Sequence, residues 1–114
     1  MGLLDQVPLF AGIGADALGR LEAHLERQRF VAGEVILRVG SESAALYGVI
    51  SGAVRVELDA ERGKRLLLVA PQCFGELSAL TGDPVSATIV AHRDTEAWML
   101  RADDLIAELD QEGR

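Results

Sequence analysis

Cysteine is nearly absent from this chain. Cys73 is the only one among 114 residues, so no disulfide can close within it, and the composition suits a reducing compartment such as the cytoplasm. Phe74 follows it, and the pair reads as a buried thiol rather than a redox sensor. Aromatic residues make up only 4% of the chain against 49% hydrophobic overall. The core therefore has to be built from Val, Leu, Ile and Ala. Positive charge is scarce too: Lys and Arg number 11 against 18 Asp and Glu, a net charge of −7. That balance argues against a basic face for duplex DNA, and no helix-turn-helix pattern is visible. No apolar run approaches the roughly 20 residues of a membrane span. The start, Met1 to Asp5, lacks the basic and long apolar regions of a signal peptide. Gln6 stands where a myristoylation signal wants Ser or Thr.

Catalytic chemistry is equally thin. His24 and His92 are the only histidines, far apart in sequence and without a His-x-His, so neither a metal cluster nor a catalytic base is indicated. His24 reads as a half-exposed helix residue and His92 as a loop residue. Ser41, Ser43, Ser51, Ser78 and Ser86 have no evident histidine partner. The carboxylate pairs Asp103/Asp104 and Glu108/Asp110 read as solvated helix faces. Trp98 and Tyr47 read as core or rim packing. The expectation is a protein that is not an enzyme.

What is present is a change of period. Pro8-Leu9-Phe10 opens a helical segment and Gly12-Ile13-Gly14 breaks it. From Ala15 to about Leu25, Leu18, Leu21 and Leu25 recur at helical spacing. From about Arg27 to Ala70 the period becomes two, with glycines between short strands. Gly33, Gly40 and Gly52 mark turns. Val54, Val56 and Leu58 alternate with Arg55, Glu57 and Asp59, which predicts one dry and one wet face. A last strand pair over 86–91 and 96–101 surrounds His92-Arg93-Asp94. Ala102 to about Glu112 predicts a closing helix with Leu105, Ile106 and Leu109 on one face. Many short strands with regular turns indicate a sandwich or barrel.

The most informative stretch runs from Phe74 to Ala91. Phe74-Gly75-Glu76-Leu77 ends a strand at a glycine turn and opens a short helix, about Glu76 to Thr81. Asp83-Pro84-Val85-Ser86-Ala87-Thr88 returns to a strand. This stretch resembles the phosphate-binding cassette of cyclic-nucleotide-binding domains, the family of the catabolite activator protein and of cyclic-AMP-dependent kinase regulatory subunits. Gly33-Glu34-Val35-Ile36 through Gly40, and Leu46-Tyr47 through Ser51-Gly52-Ala53-Val54, resemble the first half of that domain. Pro8 to Ile13 with Leu18 and Leu21 is similar to its N-terminal helical motif. The resemblance covers about residues 3–112.

The resemblance implies a mainly β fold: a β-roll, or double-stranded jelly roll, with N-terminal helices, a short cassette helix and a C-terminal helix. It implies a ligand site at Phe74, Gly75, Glu76, Leu77, Ser78, Val85, Ser86, Ala87 and Thr88, with cyclic AMP or cyclic GMP as ligand. Glu76 would accept a hydrogen bond from the ribose 2′-hydroxyl, and Ser86 and the helix start would face the phosphate.

The chain departs from the family in three places. Val85 stands where the family has an arginine that clamps the phosphate through charge-assisted hydrogen bonds. Pro71-Gln72 fill a region that is often Gly-Asp. The family's further C-terminal helix, its lid, has no counterpart. Residues 1–114 are therefore expected to be a single domain excised from a longer protein. Two functions stay open. One is a cytoplasmic regulatory module that senses a cyclic nucleotide or similar anion and signals to an attached effector. The other is a degenerate member of the fold, an interaction or homo-oligomerisation domain without nucleotide. Charge discriminates them: an anion can still bind if Arg55, Arg65 or Arg93 reaches the Glu76–Ser86 pocket.

Overall fold

The computed structural model describes residues 2–59 and 61–112. Two short 3₁₀ turns, Leu3–Gln6 and Pro8–Phe10, lead into helix α1, Ala15–Ala23. Strands β1 (Glu26–Phe30), β2 (Val35–Leu37), β3 (Ala45–Ser51), β4 (Val54–Asp59), β5 (Lys64–Leu68) and β6 (Cys73–Phe74) follow. Helix α2, Glu76–Thr81, interrupts the strands. Then come β7 (Thr88–Ala91), β8 (Thr95–Arg101) and the closing helix α3 (Ala102–Glu112).

The strands form two four-stranded sheets, β1-β8-β3-β6 and β2-β7-β4-β5, with every pairing antiparallel. This is the expected β-roll. Alternation along β3 divides the core in two. Leu46 joins Leu4, Val7, Phe10, Leu21, Trp98, Leu100 and Leu105 beneath the terminal helices. Val49 points the other way, into the cluster of Leu37, Val54, Leu68, Phe74, Val85 and Ile89. Fully burying each Leu, Val or Phe contributes about 1.5–3 kcal/mol, so both compartments are needed in a chain so poor in aromatics. Trp98 lies opposite Gly48 in the β3–β8 ladder. A Cβ on Gly48 would fall 2.0 Å from the indole, so glycine here makes room for the largest core side chain.

Gly33, Gly40 and Gly52 all sit at positive φ, +90°, +86° and +88°. A Cβ is disfavoured there, which is why glycines mark the corners of the roll.

Three expectations are corrected. Leu58 does not continue the dry face of β4; it is 60% exposed. The β4–β5 register shifts between Glu57 and Asp59, and that irregularity carries the end of the hairpin off the core. On α3, Leu105 is buried but Ile106 and Leu109 are about two-fifths exposed. Glu108, expected on a solvated face, is buried instead. Its carboxylate receives the Nε–H of Arg20 on α1 at 2.9 and 3.0 Å. This contact holds the Glu108 carboxyl below the usual carboxylate range, chiefly through the hydrogen bond from Arg20.

Candidate functional site

The site is built where β6 meets α2. Tyr47 of β3 stacks on Phe74, ring centres 5.3 Å apart and planes within 6°, which anchors the strand end. The chain then turns at Gly75, φ +77°. A Cβ there would stand 3.0 Å from Leu37 Cδ1. No side chain caps the start of α2, so the N–H groups of its first turn have no intrahelical acceptor. Gly82 closes the helix at φ +80°, with its N–H on the Ser78 carbonyl at 2.9 Å.

The return loop is pinned at Val85. Its N–H donates to the Ser41 carbonyl at 2.7 Å, and its carbonyl accepts the Gly40 N–H at 2.8 Å. The side chain is 6% exposed and belongs to the inter-sheet core. At the position where the family resemblance calls for a guanidinium, this chain therefore has methyl groups.

Phe74, Gly75, Glu76, Leu77, Ser78, Val85, Ser86 and Ala87 all line one open cavity of ≈ 410 Å³. That volume lies within the range of about 300–1,000 Å³ usual for small-molecule sites. Thr88 is not among the lining residues; its Oγ1 accepts the Val39 N–H at 3.1 Å. Ser78 is committed as well, its Oγ accepting the Ser43 N–H at 3.3 Å. The structure adds lining residues beyond the predicted site: Val56, Leu66, Leu68, Cys73 and Ile89, with Asp83 and Pro84 of the cassette loop. The alternation of β4 had turned Val56 inward, but only the packing of the two sheets shows that it meets the cassette.

The charge of the cavity is one-sided. Glu76 and Asp83 line it, and no Lys or Arg is among its described lining residues. Arg55 lies 3.5 Å from Glu57 in an ion pair. Arg65 and Arg93 are exposed on the surface, and neither lines the cavity. Glu76 is half-buried. The Cys73 thiol is pushed up to about 11, first by burial and then by the neighbouring Glu76 carboxylate. A larger cavity of ≈ 580 Å³ lies under the N-terminal turns, between Leu3, Glu22, Arg27 and Trp98. It contains none of the predicted site residues.

Among the described residues, no group of three or more His, Cys, Asp or Glu could hold a metal ion. No helix there is long and apolar enough to cross a membrane.

Residues 27–112 match the family model described as cyclic nucleotide-binding domain. The chain is 33% identical over 103 residues to the cyclic AMP receptor protein of Thermus thermophilus, covering 88% of this chain and 48% of that protein. It is also 33% identical over 102 residues to a cyclic nucleotide-gated potassium channel of Rhizobium etli, covering 90% of this chain and 28% of the channel. The chain thus spans less than half the length of these curated relatives. Among solved structures, the regulatory domain of Toxoplasma gondii PKA with cAMP superposes with a TM-score of 0.79 at 27% identity, covering 92% of this chain and 41% of that one. The Thermus thermophilus catabolite activator protein superposes with a TM-score of 0.76 at 31% identity, covering 93% and 51%.

Proposed function

This chain belongs to the cyclic nucleotide-binding domain family, and we propose that it is a non-catalytic regulatory module whose cassette cavity receives a small ligand of the nucleotide type. The observation that carries the proposal is the convergence of Phe74 to Ser78 and Val85 to Ala87 on one cavity. Glu76 supplies an acceptor for ligand hydroxyls, and the uncapped start of α2 supplies donors. Occupancy is passed on through helices. α2 packs against β3 and α3, and α3 packs against α1, so a shift of the cassette reaches both ends of the domain. An attached effector, in a longer cytoplasmic protein of which residues 1–114 are one domain, reads that shift.

A second reading is favoured by one specific observation. With two carboxylates and no described cation at the cavity, a phosphate has little to neutralise it, and the domain would serve as an interaction or dimerisation unit without nucleotide. Amide chemical shifts decide between the two. On titration with cyclic AMP and cyclic GMP to millimolar concentration, the first reading expects saturable changes at residues 74–78 and 85–87 that extend to α3 and α1. The absence of any change with these and with adenosine and guanosine would put the interaction domain ahead.

A further inference from the structure

We propose that the cassette cavity is selective for a neutral nucleoside over a cyclic nucleotide. This rests on the ligand-binding reading above and names the class of ligand. Three observations carry it. First, the charges at the cavity are those of Glu76 and Asp83, with no described Lys or Arg in the lining. An anion entering such a site gives up hydration without gaining an opposite charge. Second, the Glu76 carboxylate is half-buried and no side-chain hydrogen bond or ion pair to it exists among the described residues. An ionised carboxylate only accepts hydrogen bonds. It therefore calls for a ligand that donates, and a vicinal pair of ribose hydroxyls does so. Third, much of the lining is apolar, including Val56, Leu66, Leu68, Val85 and Ile89. Those side chains suit the flat body of a base, and Val85 fills with hydrocarbon the place where a phosphate would need a partner. Neutral hydroxyls for the carboxylates and an apolar ring for the hydrocarbon side chains match both kinds of lining residue. A cyclic phosphate adds a negative charge that meets no Lys or Arg among the described lining residues.

The test is calorimetric titration of the folded domain with adenosine, guanosine, cyclic AMP and cyclic GMP, repeated on Glu76→Ala and Val85→Arg. Alanine is a good helix former, so α2 is retained in the first variant. The wild type is expected to bind at least one nucleoside about tenfold or more tightly than its cyclic nucleotide, a difference of about 1.4 kcal/mol. Glu76→Ala should weaken that nucleoside by a similar factor, and Val85→Arg should reverse the preference. If the wild type binds the cyclic nucleotide as tightly as the nucleoside or more so, the neutral-ligand inference fails and the ligand-binding reading stands. The same holds if nucleosides do not bind but Val85→Arg binds a cyclic nucleotide. If neither protein binds any of the four, both fail.

Discussion

Arg20 on α1 and Glu108 on α3 lie 88 positions apart in sequence and meet through a single Nε–H shared between the two carboxylate oxygens at 2.9 and 3.0 Å. The contact ties the first α-helix to the last. His24, one turn further along, has Nδ1 3.9 Å from Asp104 on the same α3. These two contacts clasp α1 against α3.

The clasp makes stability depend on acid. Glu108 titrates below its ordinary value when folded, so the unfolded chain binds more protons there as pH falls. The contribution is fully present above the usual carboxylate range and is lost as pH drops through the depressed folded value. Melting temperatures of the wild type and Glu108→Gln, followed from about pH 7 to about pH 3, check this. The gap between the two proteins should be widest near neutrality and close in acid. A constant gap would show that the carboxylate charge plays no part.

Gly48→Ala should be among the most damaging single-methyl changes in the domain. The new Cβ would overlap the Trp98 indole, which is 2% exposed and cannot swing out without opening the core. Overpacking of this kind costs about 1–3 kcal/mol. Denaturant unfolding monitored by Trp98 fluorescence measures it, and an unchanged midpoint would mean the indole has another place to go.

Gly75→Ala tests the backbone of the cassette. A left-handed conformation costs an alanine roughly 1–2 kcal/mol, and its Cβ would press on Leu37. Unfolding free energy should fall by about that amount. Wild-type stability would place the strain elsewhere.

Cys73 should be a poor nucleophile although it lines the cavity. With its thiol pushed up to about 11, the thiolate is scarce at neutral pH, and the thiolate is the reactive form. Alkylation by iodoacetamide, followed by mass spectrometry, should run at least tenfold slower than for free cysteine. Reaction at the free-thiol rate would mean that neither burial nor Glu76 governs this group.

Much of the fold was legible because local rules and tertiary structure agree. Period-two alternation, glycines at positive φ and the Gly75–Thr81 turn and helix all follow from short-range sterics, and α2 spans the predicted Glu76–Thr81. What escaped depends on packing between distant elements. Alternation puts Leu58 on the dry face because it cannot see a register shift. The local pattern puts Glu108 in solvent because Arg20 is a partner only once α1 and α3 are side by side. In the cavity, Val85 was visible as a substitution in the cassette. That no arginine from β4, β5 or the 92–94 turn replaces it could be learned only from where Arg55, Arg65 and Arg93 stand.

We propose that the cassette cavity is a ligand site whose weakness toward anions lies at Val85. Calorimetric titration of the wild type and Val85→Arg with cyclic AMP tests it most directly. Val85 lines the cavity and the Gly40 and Ser41 backbone holds position 85 in place, so a longer side chain there enters the cavity at a stability cost of about 1–3 kcal/mol for disturbing the inter-sheet core. Charge-assisted hydrogen bonds contribute roughly 1.5–3 kcal/mol each, and tenfold in affinity is about 1.4 kcal/mol. Val85→Arg should therefore bind cyclic AMP at least tenfold more tightly than a weakly binding wild type. Tight binding by the wild type with no gain in a folded Val85→Arg variant would contradict the account.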